Sequence, residues 1–238
     1  MNTWKDAFWI AKIEWRKSWF KILCLFLFLS FLAVLRPTIW EGKEQVPPLF
    51  TDVFFLLIFG CVAFIVRAKD LQVQRVDEEI WVSPFFMMLN MLPIKKDVLV
   101  KSRFIHMLFP SLPFQILFLV LFSPRYLESM AVMEYVVFSI IWLAFGISSS
   151  FIFAASDAGD RYTQIKLSIY SVAFYGGVTI GLVWLTKKTG MGIVGWTTIA
   201  AKNFPIWSIL ISAAVTVGHY YFSKYYMKKK MIQIDYLK

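Results

Sequence analysis

Long apolar runs, separated by short polar segments, dominate the pattern of residues along this chain. A helix needs about 20 apolar residues to cross roughly 30 Å of hydrocarbon, because each residue advances it by only about 1.5 Å. Six runs approach this length, although the first is short and is followed by Arg36 and Pro37. The pattern therefore predicts six transmembrane helices, at residues 20–35, 49–66, 104–122, 131–155, 167–185 and 204–222.

The composition supports the same conclusion. Hydrophobic residues make up 59% of the 238 residues, whereas about half of an ordinary soluble domain is apolar. The sequence contains no repeat, no low-complexity tract and no flexible linker, which favours a single membrane domain over residues 1–238. The expected fold class is an all-α, polytopic membrane protein.

Basic residues are distributed unevenly between the two sides of this predicted bundle. The chain carries 25 Lys and Arg residues and a net charge of +10. Most of the basic residues lie on the side of the N-terminus, and cytoplasmic loops are the ones enriched in Lys and Arg. We therefore expect a plasma-membrane protein with both termini in the cytoplasm, and the same rule accounts for the charge without a nucleic-acid partner.

Residues 1–19 have the pattern of an amphipathic helix. At about 100° per residue, one face carries Trp4, Phe8, Ala11, Trp15 and Trp19, and Lys5, Lys12 and Arg16 lie beside it. Aromatic and basic residues on adjoining stripes suit the membrane interface. We predict an interfacial helix anchored by Trp4, Phe8, Trp15 and Trp19; the alternative is an ordinary cytoplasmic extension of the first span.

The chain lacks the short motifs of common catalytic sites. GxxxxGK[ST], HExxH, CxxC and GxSxG are all absent from the sequence. The histidines, His106 and His219, are far apart, and Cys24 and Cys61 both lie inside apolar runs, so neither pair predicts a metal site or a disulfide. We expect no enzyme activity, catalytic residue, metal or bound cofactor in this chain.

An acidic cluster, Asp157 and Asp160, lies in the predicted inner loop between the fourth and fifth spans. Two carboxylates of this kind could bind a divalent cation in a membrane-embedded lipid-modifying enzyme. We favour a tight turn, in which the aspartates cap helix ends and Gly159 supplies an unusual φ. In the fifth span, Gly177 and Gly181 have the spacing of a close helix contact, either within the chain or between two subunits.

Residues 67–103 form a long polar excursion between the second and third spans. Within it, residues 85–92 are apolar, too short to cross a membrane and unfavourable to leave in water. A partner surface explains this stretch better than a solvated loop does. We predict that one helix ends at Leu92, and that a second helix has Pro93 in its first turn and runs into the third span.

Residues 92–104, LPIKKDVLVKSRF, resemble the stretch that opens the third span in permeases of type-2 ATP-binding-cassette (ABC) exporters. Lys95 and Lys96 stand where a Ser-Arg pair is commoner. The six-span plan, the amphipathic N-terminal helix and the inner termini extend the resemblance over the chain.

The resemblance implies a permease subunit of an ATP-driven exporter. Two such subunits, identical or different, would form the pore above two separate ATPase subunits that hold ATP and Mg. The segment 77–92 would carry a coupling helix, and Asp157 and Asp160 would make a second, smaller ATPase contact. The main interface would comprise Glu78, Glu79, Phe85, Phe86, Met87, Leu89, Leu92, Pro93, Lys95 and Lys96.

Short outer loops and few charges within the spans favour an amphiphilic or hydrophobic cargo, such as a peptide, an antimicrobial or a lipid-like compound. Two other functions stay open at this point. One is a non-transporting membrane scaffold or immunity protein, and the other is the lipid-modifying enzyme built on Asp157 and Asp160.

Overall fold

The computed structural model describes residues 3–40, 48–76, 80–161 and 164–233, with side chains at all of these except 32–40, 125–127, 164, 167, 171, 174 and 175. Most of the described residues are helical, as predicted. The helices, in chain order, are α1 (Thr3–Trp40), α2 (Pro48–Phe55), a π-helix (Leu56–Cys61), α3 (Val62–Ile65), a 3-10 turn (Lys69–Leu71), α4 (Pro84–Met91), α5 (Lys96–Leu127), α6 (Val132–Ser156), α7 (Gln164–Thr189), α8 (Ile193–Asn203) and α9 (Pro205–Gln233).

Four helical stretches in the described part of the chain are long and apolar enough to cross a membrane. They are Pro48–Ile65, Lys96–Pro124, Val132–Ser156 and Pro205–Gln233, and they coincide with the second, third, fourth and sixth predicted spans. The first and fifth predicted spans lie within α1 and α7, whose side chains are described only in part. The membrane character is therefore supported, and the number of six spans stays a prediction.

The N-terminal helix does not end where the sequence predicts. No break separates residues 1–19 from the first predicted span, because α1 is a single helix of 38 residues, about 57 Å long. The physical reason is visible in the sequence, since no glycine or proline occurs between Thr3 and Arg36 to interrupt the helix. An interfacial helix separate from the first span is not what the structure describes.

The helices pack in a chain of neighbours, with α1 along α5, α5 along α6, and α6 along α9. Aromatic rings fill the half of the core that lies furthest from the N-terminus. Phe55 contacts Trp142 with ring centroids 4.9 Å apart and Phe118 at 5.3 Å. Edge-to-face pairs of this kind add about 0.5–1.5 kcal/mol each beyond their buried area, so this half of the bundle is firmly packed.

A buried carboxylate in α2 organises the end of the bundle opposite to the N-terminus. Asp52 accepts hydrogen bonds from the backbone N–H groups of Ile193 (2.8 Å) and Val194 (2.9 Å), and so caps α8. Gly192 precedes this helix because a Cβ there would lie 2.1 Å from Asp52 Oδ2. The predicted outer loop 186–203 thus contains a docked helix, which the sequence analysis did not foresee.

A small antiparallel sheet, which the sequence analysis did not predict, accompanies the helices. Its strands are β1 (Gln74–Arg75), β2 (Ile80–Val82) and β3 (Asp160–Arg161), in the order β1-β2-β3. Trp81 pairs with Arg75 on one side and with Asp160 on the other. The sheet therefore ties the polar excursion 67–103 to the residues that follow α6.

Gln115 on α5 bridges three membrane helices. Its Nε2 donates to the carbonyl of Phe59 in the π-helix (3.4 Å), and its amide fills the space beside Gly146 on α6. A Cβ at Gly146 would lie 2.4 Å from Gln115 Oε1. The glycine is thus required by close packing, because any larger residue displaces a hydrogen-bonded side chain.

We predict that Gly146→Ala lowers stability by about 1–3 kcal/mol, because the added methyl overpacks the α5–α6 contact. The measurement is the temperature at which the detergent-purified protein loses its monodisperse gel-filtration peak. Gly181→Ala is the matched control, since among the described residues no side chain or neighbouring helix comes within 4 Å of a Cβ there. Equal stability of the two variants would contradict the packing described for Gln115.

Candidate functional site at the basic end of the bundle

One end of the molecule, which we call the basic end, brings together the start of α1, the start of α5, the ends of α6 and α9, and residues 67–76 and 80–95. Lys101 on α5 donates to the Thr3 hydroxyl of α1 (2.7 Å). Lys230 near the end of α9 forms an ion pair with Asp160 in β3 (2.5 Å). The predicted coupling region 67–103 is therefore surrounded by the ends of several helices.

Helix α4 occupies the place predicted for a coupling helix, within residues 77–92. Ser83 caps it by accepting from the N–H of Phe86 (3.5 Å), and Pro84 occupies its first turn. The helix ends at Met91, close to the predicted end at Leu92. The part before α4 is not helical, because residues 80–82 form strand β2.

The predicted restart of the helix at Pro93 is wrong by three residues, since α5 begins at Lys96. Leu92 is extended (ψ 154°), as a residue before proline prefers to be. The carbonyl of Lys95 accepts the first bond, from the N–H of Leu99 (3.2 Å), and Asp97 lies in the positive first turn. From there α5 runs without interruption into the third predicted span, as expected.

The two faces of α4 differ sharply. Phe86 and Leu89 are buried in the protein's own core, and Phe85 and Met87 are partly buried against it. Phe86 and Leu89 are therefore not accessible to a partner in this structure, although the sequence analysis placed both in the ATPase interface. The period of the helix turns them inward because Val98, Leu99 and Phe104 supply apolar surface on that side.

The outward face of α4 carries a different set of apolar side chains. Met88 is 49% exposed, and Met91 and Leu92 are each 47% exposed. Pro93, Lys95 and Lys96 are exposed directly beyond them. Of the residues predicted for the interface, Leu92, Pro93, Lys95 and Lys96 are thus accessible, and Met88 and Met91 join them. Glu78 and Glu79 lie outside the described residues.

Four charged side chains are fully buried next to α4 and form what we call the charge cluster: Glu14, Arg67, Arg103 and Asp157. Arg67 makes a two-point contact with Asp157, with N–O distances of 2.8 and 2.9 Å. Arg103 donates to Glu14 and has its other terminal nitrogen 3.7 Å from Asp157. Two positive and two negative charges balance, as buried ions must.

The charge cluster joins four separate parts of the chain. Glu14 belongs to α1, Arg67 follows α3, Arg103 belongs to α5, and Asp157 follows α6. The contact between α1 and Arg67 is reinforced, because the Ser18 hydroxyl accepts from the N–H of Ala68 (3.0 Å). Loss of one member would leave an uncompensated buried charge, which typically costs about 3–5 kcal/mol.

Arg103 also connects the charge cluster to α4. Its guanidinium carbon lies 5.7 Å from the ring centroid of Phe85 and 5.6 Å from that of Phe86. The Nζ of Lys17 on α1 lies 5.5 Å from the ring centroid of Phe85. Cation–π contacts are strongest where water is excluded. The base of α4 is thus held by charged groups of α1 and α5 as well as by apolar packing.

Asp157 and Asp160 have different partners. Asp157 belongs to the charge cluster, whereas Asp160 accepts from the Tyr226 hydroxyl (3.0 Å) and pairs with Lys230 on α9. Separate cationic partners do not provide the shared carboxylate pair on which the lipid-enzyme alternative depends. Gly159 has a φ of +79°, which confirms the predicted unusual turn, and a Cβ there would lie 2.7 Å from the Trp81 carbonyl.

The residues predicted for the interfacial helix lie on α1 but do not share one environment. Trp4 and Trp19 are exposed, whereas Trp15 stacks on Phe109 of α5 at 4.1 Å, and Phe8 lies edge-on to both rings. Ala11, predicted on the same face, is fully buried. The aromatic stripe is thus partly a packing surface for α5.

Gly177 and Gly181 lie on α7, and no atom of the described residues comes within 4 Å of a Cβ built at either position. The two glycines therefore make no close contact within the described part of the chain. Their role in a contact between subunits stays a prediction.

The sequence analysis did not identify the charge cluster, although a signal was present. Ala7, Ile10, Ala11, Glu14 and Ser18 form the buried stripe of α1, so Glu14 stands among small and apolar residues at helical spacing. Arg67 and Arg103 lie at the ends of predicted inner segments, where the positive-inside pattern alone does not distinguish a solvated base from one paired with a buried acid. Which acid meets which base depends on tertiary packing.

A second feature lies towards the other end of the bundle, where α6, the end of α7, α8 and α9 enclose an open groove of about 450 Å³. Most of its wall is apolar, with a few hydroxyl groups. It is lined by Ile141, Leu185, Ile193, Trp196, Thr197, Ala200, Ser208, Ile211 and Ser212. The combination of an apolar wall and hydroxyl groups suits an amphiphilic molecule.

Comparison with known proteins gives no match to this chain: no protein-family model, no curated protein and no solved structure is significantly similar to it. The functional argument therefore rests on the arrangement of residues at the basic end.

We predict stability effects of very different size for two nearby residues of α4. Phe86→Ala should cost about 3–5 kcal/mol, because it opens a cavity in the core. Met88→Ala, on the exposed face, should change stability by no more than about 0.5 kcal/mol. Thermal unfolding of the two detergent-purified variants, followed by circular dichroism, provides the comparison. A Met88→Ala protein as unstable as Phe86→Ala would show that the two faces are assigned incorrectly.

Proposed function

We propose that this chain is the permease subunit of an ATP-driven exporter and that a separate ATPase moves it through α4. The observation that carries the proposal is the construction of α4, a short helix outside the four stretches that can cross a membrane. Its inner face is buried in the core, and its outer face presents Met88, Met91 and Leu92.

Force can pass through a helix only if the helix is fixed to what it has to move. Phe86 and Leu89 fix α4 to the core shared by α1, α5, α6 and α9, and Arg103 links its aromatic residues to the charge cluster. A displacement of α4 would therefore be transmitted to the ends of several membrane helices, rather than absorbed in a loop.

The exposed face of α4 suits a protein partner. Flexible, polarisable Met side chains adapt well to a binding groove, and burying Met88, Met91 and Leu92 would give the contact its energy. Lys95 and Lys96 stand next to them and favour a partner surface with an acidic edge. An ATPase subunit fits this role, because the chain itself has no phosphate-binding loop with which to use ATP.

The remaining parts of the proposal follow from the same arrangement. In this proposal the chain lies in the plasma membrane with its basic end in the cytoplasm. Helix α4 then faces the compartment that supplies ATP. Two permease subunits, identical or different, would sit above two ATPase subunits. The groove between α6 and α9 supports an amphiphilic or hydrophobic cargo. The scaffold alternative gains no support from any feature at the basic end.

The test is a double substitution on the exposed face, Met88→Asp with Met91→Asp. The tagged chain is purified in mild detergent from the cells that naturally make it. The P-loop ATPase that accompanies it is identified by mass spectrometry, and ATP hydrolysis is measured. We expect the double variant to recover about tenfold less ATPase, and correspondingly less ATP hydrolysis, because burial of the two methionines against the partner would contribute more than about 1.4 kcal/mol.

Met133→Asp is the matched control. Met133 is 72% exposed at the far end of α6, and an acidic residue in the first turn of a helix is well tolerated. The control should retain the ATPase. Equal recovery of the ATPase with the native chain, the control and the double variant would refute the proposed role of α4.

A further inference from the structure

Arg103 lies between two buried carboxylates that belong to different helices. Its Nη2 donates to Glu14 on α1, and its Nη1 is 3.7 Å from Asp157 Oδ2, which is beyond hydrogen-bond distance. Asp157 is already engaged at two points by Arg67. Arg103 is thus paired with Glu14, and a small movement of its side chain would bring it within hydrogen-bond distance of Asp157.

The hydrogen bonds of the charge cluster are incomplete. Among the described residues, Arg103 Nε, Glu14 Oε2 and both ring nitrogens of His106 are buried and have no hydrogen-bond partner. A buried polar network that is only partly satisfied is costly, so the pairing described here is favoured over other pairings of the same groups by less than a complete network would be. A fully satisfied network would instead hold one arrangement.

His106 is positioned to complete the second pairing. Its Nδ1 lies 3.7 Å from Glu14 Oε2, on the same helix as Arg103 and about one turn further along. If Arg103 turned towards Asp157, Glu14 would keep a neighbour capable of hydrogen bonding. Glu14 would not be left isolated, so the exchange avoids the full penalty of an unpaired buried charge.

We propose that Arg103 exchanges between Glu14 and Asp157, and that this exchange loosens the basic end of α1 against α5, where His106 becomes the neighbour of Glu14 in place of Arg103. The ion pair of Arg103 with Glu14 joins α5 to α1, and its replacement by the weaker Glu14–His106 contact allows the start of α1 to shift relative to α6. Because Arg103 packs against Phe85 and Phe86, a change of partner also changes the support beneath α4. Arg103 is thus a positioning residue.

The exchange itself does not require an ATPase. Its use in coupling rests on the proposed function, because only then would an external motor push α4 and select one pairing. The two ideas can therefore fail separately. If the exchange occurs but the Met88 and Met91 substitutions leave ATPase binding intact, the exchange stands and the partner proposal falls.

The test measures the distance between α1 and α6 by pulsed electron spin resonance in lipid nanodiscs. Spin labels are attached at the exposed positions Lys12→Cys and Ser156→Cys, in a chain whose Cys24 and Cys61 have been changed to alanine. We expect the native charge cluster to give a main distance and a second, longer and less populated one.

Two isosteric variants should shift this distribution in opposite directions. Glu14→Gln removes the charge of the partner on α1, so Arg103 should pair with Asp157 more often. The ratio of the long-distance to the short-distance population should then rise about tenfold. Asp157→Asn weakens the partner on α6, and the long distance should disappear. A single narrow distance in the native protein, or identical distributions in both variants, would overturn the proposal. If either variant fails to fold, the native distribution alone decides.

Discussion

The buried charge cluster is the constraint on which the basic end of this protein depends. Glu14, Arg67, Arg103 and Asp157 come from four parts of the chain and neutralise one another away from water. None of these charges can be moved far from its partners without a large penalty. The positions of α1, α5 and the end of α6 are therefore linked, and α4 rests on this linked group through the contact of Arg103 with Phe86.

The two ends of the bundle are held by different physical means. At the far end, neutral aromatic packing dominates, and both oxygens of Asp52 accept hydrogen bonds from backbone N–H groups at the start of α8. At the basic end, the network is charged and only partly satisfied. A transporter needs one region that stays rigid and one that has more than one arrangement. This contrast supports the proposed division between a fixed bundle and a movable basic end.

Much of the helical plan was predictable, because hydrophobic periodicity and length depend on local sequence. The fourth predicted span, 131–155, differs from Val132–Ser156 by one residue at each end, and the positive φ of Gly159 followed from turn chemistry. The inward orientation of Phe86, the role of Asp157 and the docking of α8 were not predictable in this way. Asp157 and α8 have partners 90 and 141 residues away along the chain, and Phe86 packs against a core assembled from several helices, so no local pattern identifies these contacts.

The most direct test of the central claim is hydrogen–deuterium exchange of the whole chain in nanodiscs, comparing the native protein with Arg103→Met. Arg16→Met, at an exposed position of α1, is the control. If the charge cluster holds the basic end together, Arg103→Met should raise exchange jointly in the first half of α1, in residues 67–76 and in α4, while α8 keeps its protection. An increase in hydrogen–deuterium exchange confined to α5, or no increase in α4, would contradict the account.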